Sequence, residues 1–123
     1  MAKHNETGNW GELQALAYIK EKKPSWEILY TNWKYKKSEV DIICKDGKQL
    51  VFVEVKTRTG NKFGHPEEAV GYKKKEKLAE AASAFIEEIN HQGEIRFDII
   101  SITILQNKTE IYHIEDAFFP GLD

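Results

Sequence analysis

Residues 38–58 read S-E-V-D-I-I-C-K-D-G-K-Q-L-V-F-V-E-V-K-T-R and predict a β-hairpin. Two runs rich in Val, Ile and Phe flank Asp46-Gly47, a turn pair that tolerates positive φ at both central positions. If those two residues form the whole turn, Asp41 lies opposite Phe52. This hairpin is the centre of the predicted fold, and the other elements are placed relative to it.

Three charged side chains, Asp41, Glu54 and Lys56, interrupt this apolar hairpin. Because side chains alternate along a strand, we expect all three on one face and a core of valines on the other. The two acids are then diagonal neighbours, roughly 7–8 Å apart at the backbone, and both can reach one hard cation between them. A structural ion pair between an acid and Lys56 is the alternative, because unpaired charge beside a core is costly.

The composition is that of a globular domain, with 123 residues, 41% of them hydrophobic and 31% charged. This length predicts a single domain over residues 1–123. A single cysteine, Cys44, excludes an internal disulfide framework and a cysteine-rich zinc site. Because the N-terminus is polar and no apolar run approaches 18 residues, we expect no signal peptide and no membrane span, and therefore a cytoplasmic protein.

Basic residues concentrate around the hairpin, although the formal net charge of the chain is −2. Residues 34–77 contain 12 lysines and arginines against 7 acids. A local excess of this kind favours binding of a polyanion, while an ordinary solvated surface is the alternative. The candidate nucleic-acid-binding residues are Lys34, Lys36, Lys37, Arg58, Lys73, Lys74, Lys75 and Lys77.

Hydrophobic periodicity predicts the other elements. A first helix is expected from Thr7 to about Lys22, and its buried stripe is expected to comprise Trp10, Leu13, Leu16 and Ala17. The remaining elements are a strand at 26–33, a helix at 72–90 and strands at 94–105 and 110–114. The order α-β-β-β-α-β-β predicts an α/β/α sandwich with a mixed central sheet, because a helix that crosses over between two strands makes them parallel.

Glu12 is a further candidate acid, in the first turns of the first predicted helix. Gly8 and Gly11 lie beside it and allow another backbone or a ligand to approach closely. Two interpretations stay open: Glu12 interacts favourably with the helix dipole and does nothing more, or it is a third carboxylate at a metal.

The hairpin resembles the motif of the PD-(D/E)xK nuclease superfamily: an Asp, a short hairpin, then Glu-x-Lys. Val40 stands where that motif has Pro. The resemblance extends along the chain through G-N-W-G-E, S-E-V-D-I-I, V-F-V-E-V-K-T-R, F-G-H-P-E-E-A-V, R-F-D-I-I-S-I and I-E-D-A-F. By these motifs the chain is identified as a member of the YraN-like family, uncharacterised proteins that are predicted endonucleases related to Holliday-junction resolvases. Ser38 stands where that family usually has Gly.

The resemblance implies a restriction-endonuclease-like fold and a magnesium-dependent endonuclease, with Mn²⁺ as an alternative ion. Glu12, Asp41 and Glu54 would be its metal carboxylates, and Lys56 its catalytic lysine. We further expect the carbonyl of Val55 at the metal and Glu39 in support. The expected substrate is DNA, including branched or structured DNA, and a cut through both strands would need a homodimer. Two alternatives stay open: a non-catalytic nucleic-acid-binding or assembly module, and purely structural carboxylates.

Overall fold

The computed structural model describes residues 3–60 and 71–119, and the side chains from residue 9 onward. The elements in these residues are α1 (Lys3–Lys22), β1 (Trp26–Tyr35), β2 (Ser38–Asp46), β3 (Gln49–Thr59), α2 (Tyr72–Glu88), β4 (Ile95–Ile104) and β5 (Thr109–Ile114). The predicted order α-β-β-β-α-β-β is confirmed. Residues 61–70, which contain the F-G-H-P-E-E-A-V motif, lie outside the described part. Neither α1 nor α2 is both long and apolar enough to cross a membrane.

The strands of the described residues form one mixed sheet in the spatial order β1-β2-β3-β4-β5. β3 and β4 are parallel, because the chain returns through α2 between them, and the other neighbouring strands are antiparallel. α1 packs on one face of this sheet and α2 on the other. The predicted α/β/α sandwich with a mixed central sheet is therefore confirmed.

The predicted register of the central hairpin is wrong by two residues. Asp46 pairs with Gln49, so the turn consists of Gly47 and Lys48 rather than Asp46 and Gly47. Gly47 has a φ of +61°, and a glycine with positive φ at the first central position is typical of a type II′ turn. A shift of two residues keeps every side chain on its predicted face, because the side-chain period of a strand is two.

Both faces of the sheet are buried. The predicted valine face is core: Val51 and Val53 are fully buried on the α1 side, together with Ile100 and Ile102 of β4. The α2 side buries a second cluster that includes Phe52, Phe85, Phe97 and Ile99. Charged groups on either face of β3 therefore lie next to apolar side chains, where an unpaired charge costs free energy.

The predicted helix α1 is wrong in its start and in half of its stripe. α1 begins at Lys3 rather than Thr7. Trp10 and Leu16 of the predicted stripe pack against the core, but Leu13 is 63% exposed and Ala17 is exposed too. The buried line instead includes Gly11, Ala15 and Ile19, small or apolar residues four positions apart. A Cβ at Gly11 would collide with the hydroxyl oxygen of Thr57 on β3. The missing side chain thus lets α1 lie directly on β3 and brings the next residue, Glu12, to the sheet.

Candidate active site

Four carboxylates from three elements meet where β2 and β3 stop pairing. Glu12 of α1 and Glu39 and Asp41 of β2 each offer an oxygen within 4.8 Å of the other two. The last paired residues of β2 and β3 in that direction are Ile42 and Val53, so Asp41 and Glu54 are the next residues along the two strands. The structure therefore brings Glu12 and Asp41 together and places Glu54 beside Asp41. It adds Glu39, which was expected only in support.

Asp41 is fixed by the backbone of the neighbouring strand. Its Oδ2 accepts a hydrogen bond of 2.8 Å from the N–H of Val55, the residue between Glu54 and Lys56. A carboxylate bonded in this way is held in one orientation relative to Glu54. The structure thus places Val55 at the cluster through its N–H, whereas a role of its carbonyl at a metal stays a prediction.

Glu54 is a buried acid that is only partly satisfied. Its side chain is 3% exposed, and its Oε2 lies 3.1 Å from the ammonium of Lys74. Its other oxygen, Oε1, is buried and has no hydrogen-bond partner among the described residues. Burial, and then the neighbouring carboxyl of Asp41, raise the pKa of Glu54 to about 8. Because buried polar atoms are normally satisfied, this oxygen is suited to bind a cation or a hydrogen-bond donor.

Glu12 lies in the same negative field. Burial, and then the charge of Asp41, raise the pKa of Glu12 above its ordinary value, and Glu39 acts in the same direction. A hydrogen bond from the side chain of Asn32 opposes this rise in pKa. The acids of the cluster therefore disfavour one another's ionisation, and a divalent cation bound among them would relieve that repulsion. The carboxylates present fit a hard metal ion such as Mg²⁺.

Two lysines, Lys56 and Lys74, lie close to Glu54 in the sequence or in the fold. Lys56 lies two residues after Glu54 on the same strand and is partly buried. Lys74, predicted only as a nucleic-acid-binding residue, reaches from the first turn of α2 to Glu54. Burial lowers the pKa of Lys74, but the charge and hydrogen bond of Glu54 outweigh that effect and leave the pKa raised. Sequence periodicity gave no signal that would single out Lys74 from its lysine neighbours.

The remaining basic residues have different surroundings. Lys36 stacks over the ring of Tyr35, 5.3 Å from its centroid, and Lys75 lies 5.2 Å from the centroid of Phe118. Arg58 is partly buried on β3, while the other predicted residues are exposed at the described surface: Lys34, Lys37, Lys73 and Lys77. The predicted set therefore includes exposed lysines suited to a polyanion and others that pack against aromatic rings.

Lys36 also borders an open groove beside α2. The groove has a volume of about 890 Å³, and its lining includes Tyr35 and three acids, Glu80, Glu87 and Glu88. Three carboxylates at one groove repel phosphate. This groove therefore does not fit a nucleic-acid backbone, despite the lysine at its edge.

A smaller cavity of about 260 Å³ adjoins the carboxylate cluster. Glu12 and Asn32 contribute to its lining, and Leu16 and Ile42 supply apolar surface. The cavity gives the cluster a recess between α1 and the strands, beside Glu12. A group bound there would lie next to the carboxylates.

A second polar cluster lies at the other end of α1, around the fully buried Asp98. Both Asp98 oxygens accept hydrogen bonds from Arg96, each at 2.8 Å. The ring of His113 and the backbone N–H of Asp116 also bond to Asp98, at 2.8 and 3.0 Å. His113 was missed from the sequence, because it lies on a different strand 15 residues away. Asp98 is saturated by donors, so this cluster is suited to holding the fold.

Comparisons with known proteins agree with one another on the family. The model of the uncharacterised protein family UPF0102 matches residues 11–102. A UPF0102 protein from Christiangramia forsetii is 45% identical over 119 residues, covering 97% of this chain and 98% of the relative. Another from Phocaeicola vulgatus is 38% identical over 122 residues, covering 99% of each.

Among solved structures, this chain is similar to SfsA from Pyrococcus furiosus, solved in complex with Ca²⁺. The TM-score is 0.37 and the sequence identity 13%, and the match covers 85% of this chain and 62% of that one. A likeness of this degree carries no argument about function. The family match and the two relatives span most or nearly all of the sequence, and the chain belongs to the uncharacterised protein family UPF0102.

Proposed function

We propose that this protein is a divalent-metal-dependent endonuclease that hydrolyses phosphodiester bonds in DNA. The observation that carries the proposal is Glu54, a buried acid with one oxygen lacking a partner in the described structure, beside the fixed carboxylate of Asp41. Glu12 and Glu39 supply further oxygens next to Asp41. The resemblance of the hairpin to the PD-(D/E)xK motif supports the same chemistry.

In this proposal Asp41, Glu54 and Glu12 hold Mg²⁺ or Mn²⁺, with Glu39 beside them. The ion supplies Lewis-acid activation of the phosphodiester and lowers the pKa of a bound water. The Val55 N–H keeps the Asp41 carboxylate in position, so no reorganisation of that ligand is needed during the reaction. Lys56 orients the attacking water or stabilises the negative charge that develops on the phosphate.

The exposed lysines supply the binding energy for the DNA backbone. Lys34, Lys37, Lys73 and Lys77 are exposed and make contacts of the kind that depend strongly on salt. Branched or otherwise structured DNA is the substrate that the family resemblance favours. One such site cuts one strand, so a cut through both strands requires two copies of the chain.

A cleavage assay tests the proposal. End-labelled linear duplex and four-way-junction DNA are incubated with the protein and Mg²⁺, Mn²⁺ or EDTA. We expect cleavage only with a divalent ion, and a loss of about 100-fold or more in Glu54→Gln, because a metal supplies several kcal/mol of transition-state stabilisation. Glu27→Gln is the matched control, since Glu27 is an exposed acid on β1.

Two outcomes contradict the proposal. Cleavage that persists in EDTA and in Glu54→Gln rejects the metal mechanism. Binding of DNA without cleavage under every metal favours a non-catalytic nucleic-acid-binding or assembly module.

A further inference from the structure

Lys74 links the buried carboxylates to the surface. Its ammonium lies 3.1 Å from Glu54, yet 49% of its own side chain is exposed, against 3% for Glu54. Asp41 and Glu39 also lie close enough to act on it electrostatically. Lys74 therefore stands at the side of the cluster that faces solvent, with its charge directed at the acid that lacks a second partner.

The charges of the site explain why a lysine is held there. Four carboxylates, Glu12, Glu39, Asp41 and Glu54, carry up to four negative charges and repel a phosphate when no cation is present. One divalent ion cancels two of these charges, and Lys56 and Lys74 supply two positive charges more. With all four acids ionised, one divalent ion and both lysines together bring the net charge of the site to zero.

A metal ion on Oε1 of Glu54, the oxygen without a partner among the described residues, would lie on the same carboxyl group as the Lys74 ammonium, which contacts Oε2. Both bind carboxylate oxygen, and two cations in contact repel each other. Lysine has a flexible four-carbon stem and a strongly hydrated head, so a half-exposed lysine leaves an ion pair at small cost. An ammonium that moves outward, away from Asp41 and Glu39, can pair with a phosphate of bound DNA.

We propose that Lys74 contacts Glu54 only while the site lacks metal, and that when a divalent ion binds, the Lys74 ammonium moves to a phosphate of the substrate. This inference rests on the proposed function, because it requires a metal and a nucleic acid at the same site. Lys74 is then a substrate-binding residue whose contact with DNA depends on the metal. Its exposed neighbours Lys73 and Lys77 contribute in the same way with or without metal.

The salt dependence of DNA binding distinguishes a phosphate contact that requires metal from one that does not. The affinity for a labelled duplex is measured against KCl concentration in EDTA and in Ca²⁺, a hard cation with the same preference for oxygen ligands. In Ca²⁺, Lys74→Met should make the negative slope of log K against log salt shallower by about 0.9, the effect of one lost phosphate contact. In EDTA the slope should not change. Lys77→Met, the matched control, should have the same effect in both conditions.

A second comparison does not depend on whether Lys74→Met folds by itself. It compares a Glu54 variant with the same variant carrying Lys74→Met. Glu54→Ala removes the side chain that Lys74 contacts, so its ammonium can reach a phosphate without metal. Adding Lys74→Met to Glu54→Ala should therefore make the slope shallower in EDTA as well, by about 0.9. An unchanged slope in EDTA contradicts the inference.

Calorimetric titration of the wild type with Ca²⁺ and Mg²⁺ separates failure of the inference from failure of the proposed function. If neither ion binds, the metal site itself is rejected. If an ion binds but Lys74→Met changes the slope equally in EDTA and Ca²⁺, the inference about Lys74 is overturned and the metal site stands.

Discussion

The Oδ2 atom of Asp41 accepts a hydrogen bond of 2.8 Å from the backbone N–H of Val55. A side chain thus takes the place of a strand partner immediately beyond the last β2–β3 pair, Ile42 and Val53. The same bond sets the distance between the acid of β2 and the two charged residues that flank Val55, Glu54 and Lys56. The geometry of the site therefore depends on a backbone contact within the hairpin.

Removal of the Asp41 acceptor should cost stability. Asp41→Ala leaves the Val55 N–H without its partner, at a cost of about 1–3 kcal/mol, whereas Asp41→Asn retains an acceptor oxygen and should cost less. Urea unfolding of both variants in EDTA at pH 7 measures the difference in the free energy of unfolding. Equal losses in the two variants would show that the hydrogen bond does not stabilise the fold.

Ionisation of Glu54 should make the metal-free protein less stable as the pH rises. Its pKa is about 8 in the folded state against an ordinary value of 4.5, so the folded state binds an extra proton between these values. The stabilisation by protonated Glu54 is therefore fully present below pH 4.5 and is lost as the pH rises to 8, by about 1.4 kcal/mol per pH unit at most. Glu54→Gln lacks this loss and should gain stability relative to wild type between pH 5 and pH 8.

Urea unfolding in EDTA at pH 5 and pH 8 checks this expectation. The control is Glu27→Gln, which removes an exposed acid of β1 and should change little over the same range. A Glu54→Gln effect that is identical at both pH values would mean that Glu54 ionises normally in the folded protein.

The order of the elements and the faces of the central hairpin could be predicted from the sequence. Strand alternation is a local property with a period of two, so the valine face of β3 was assigned correctly even though the turn was misplaced. The turn error arose because Asp46-Gly47 and Gly47-Lys48 are both acceptable two-residue turns. The choice between them depends on pairing with β1 and β4, which no local pattern contains.

The surroundings of α1 and of Lys74 could not be predicted. The stripe of α1 includes Gly11 and Ala15, which carry little hydrophobic signal although they give the closest approach to the sheet. Lys74 and Glu54 are 20 residues apart and meet through the fold, so a count of basic residues treats Lys74 like its neighbours. In both cases tertiary packing decided what periodicity and charge alone left open.

The contact between Gly11 and Thr57 should be sensitive to a single methyl group. In Gly11→Ala the new Cβ meets the Thr57 hydroxyl, and the strain should cost about 1–3 kcal/mol and displace Glu12 from the carboxylate cluster. Adding Thr57→Ala removes that hydroxyl and should recover much of the loss. A double-mutant cycle by urea unfolding measures the coupling, and purely additive effects would exclude the contact.

The polar cluster around Asp98 and the carboxylate cluster around Asp41 should respond in opposite ways to substitution. Burial raises the pKa of Asp98, but hydrogen bonds from His113, Arg96 and the Asp116 N–H outweigh it and hold the pKa below its ordinary value of 3.8. The stabilisation by Asp98 is thus present above pH 3.8 and is lost as the pH falls through the lowered pKa. Above pH 3.8, Asp98 is a buried anion whose removal takes two hydrogen bonds from Arg96 and leaves it with Gln49 and Glu115.

Asp98→Ala should therefore cost about 3–5 kcal/mol of stability near pH 7, because Arg96, His113 and the Asp116 N–H lose their buried anionic partner, while Ca²⁺ binding per folded molecule is unchanged. Glu12→Gln should show the reverse, with weaker Ca²⁺ binding and little loss of stability, because it removes an acid whose neighbours repel its charge. Calorimetric titration measures Ca²⁺ binding by the two variants, and urea unfolding measures their stability. If Asp98→Ala abolishes Ca²⁺ binding at a pH where the variant is folded, the metal lies at the Asp98 cluster and the assignment of the site to Glu12, Asp41 and Glu54 is wrong.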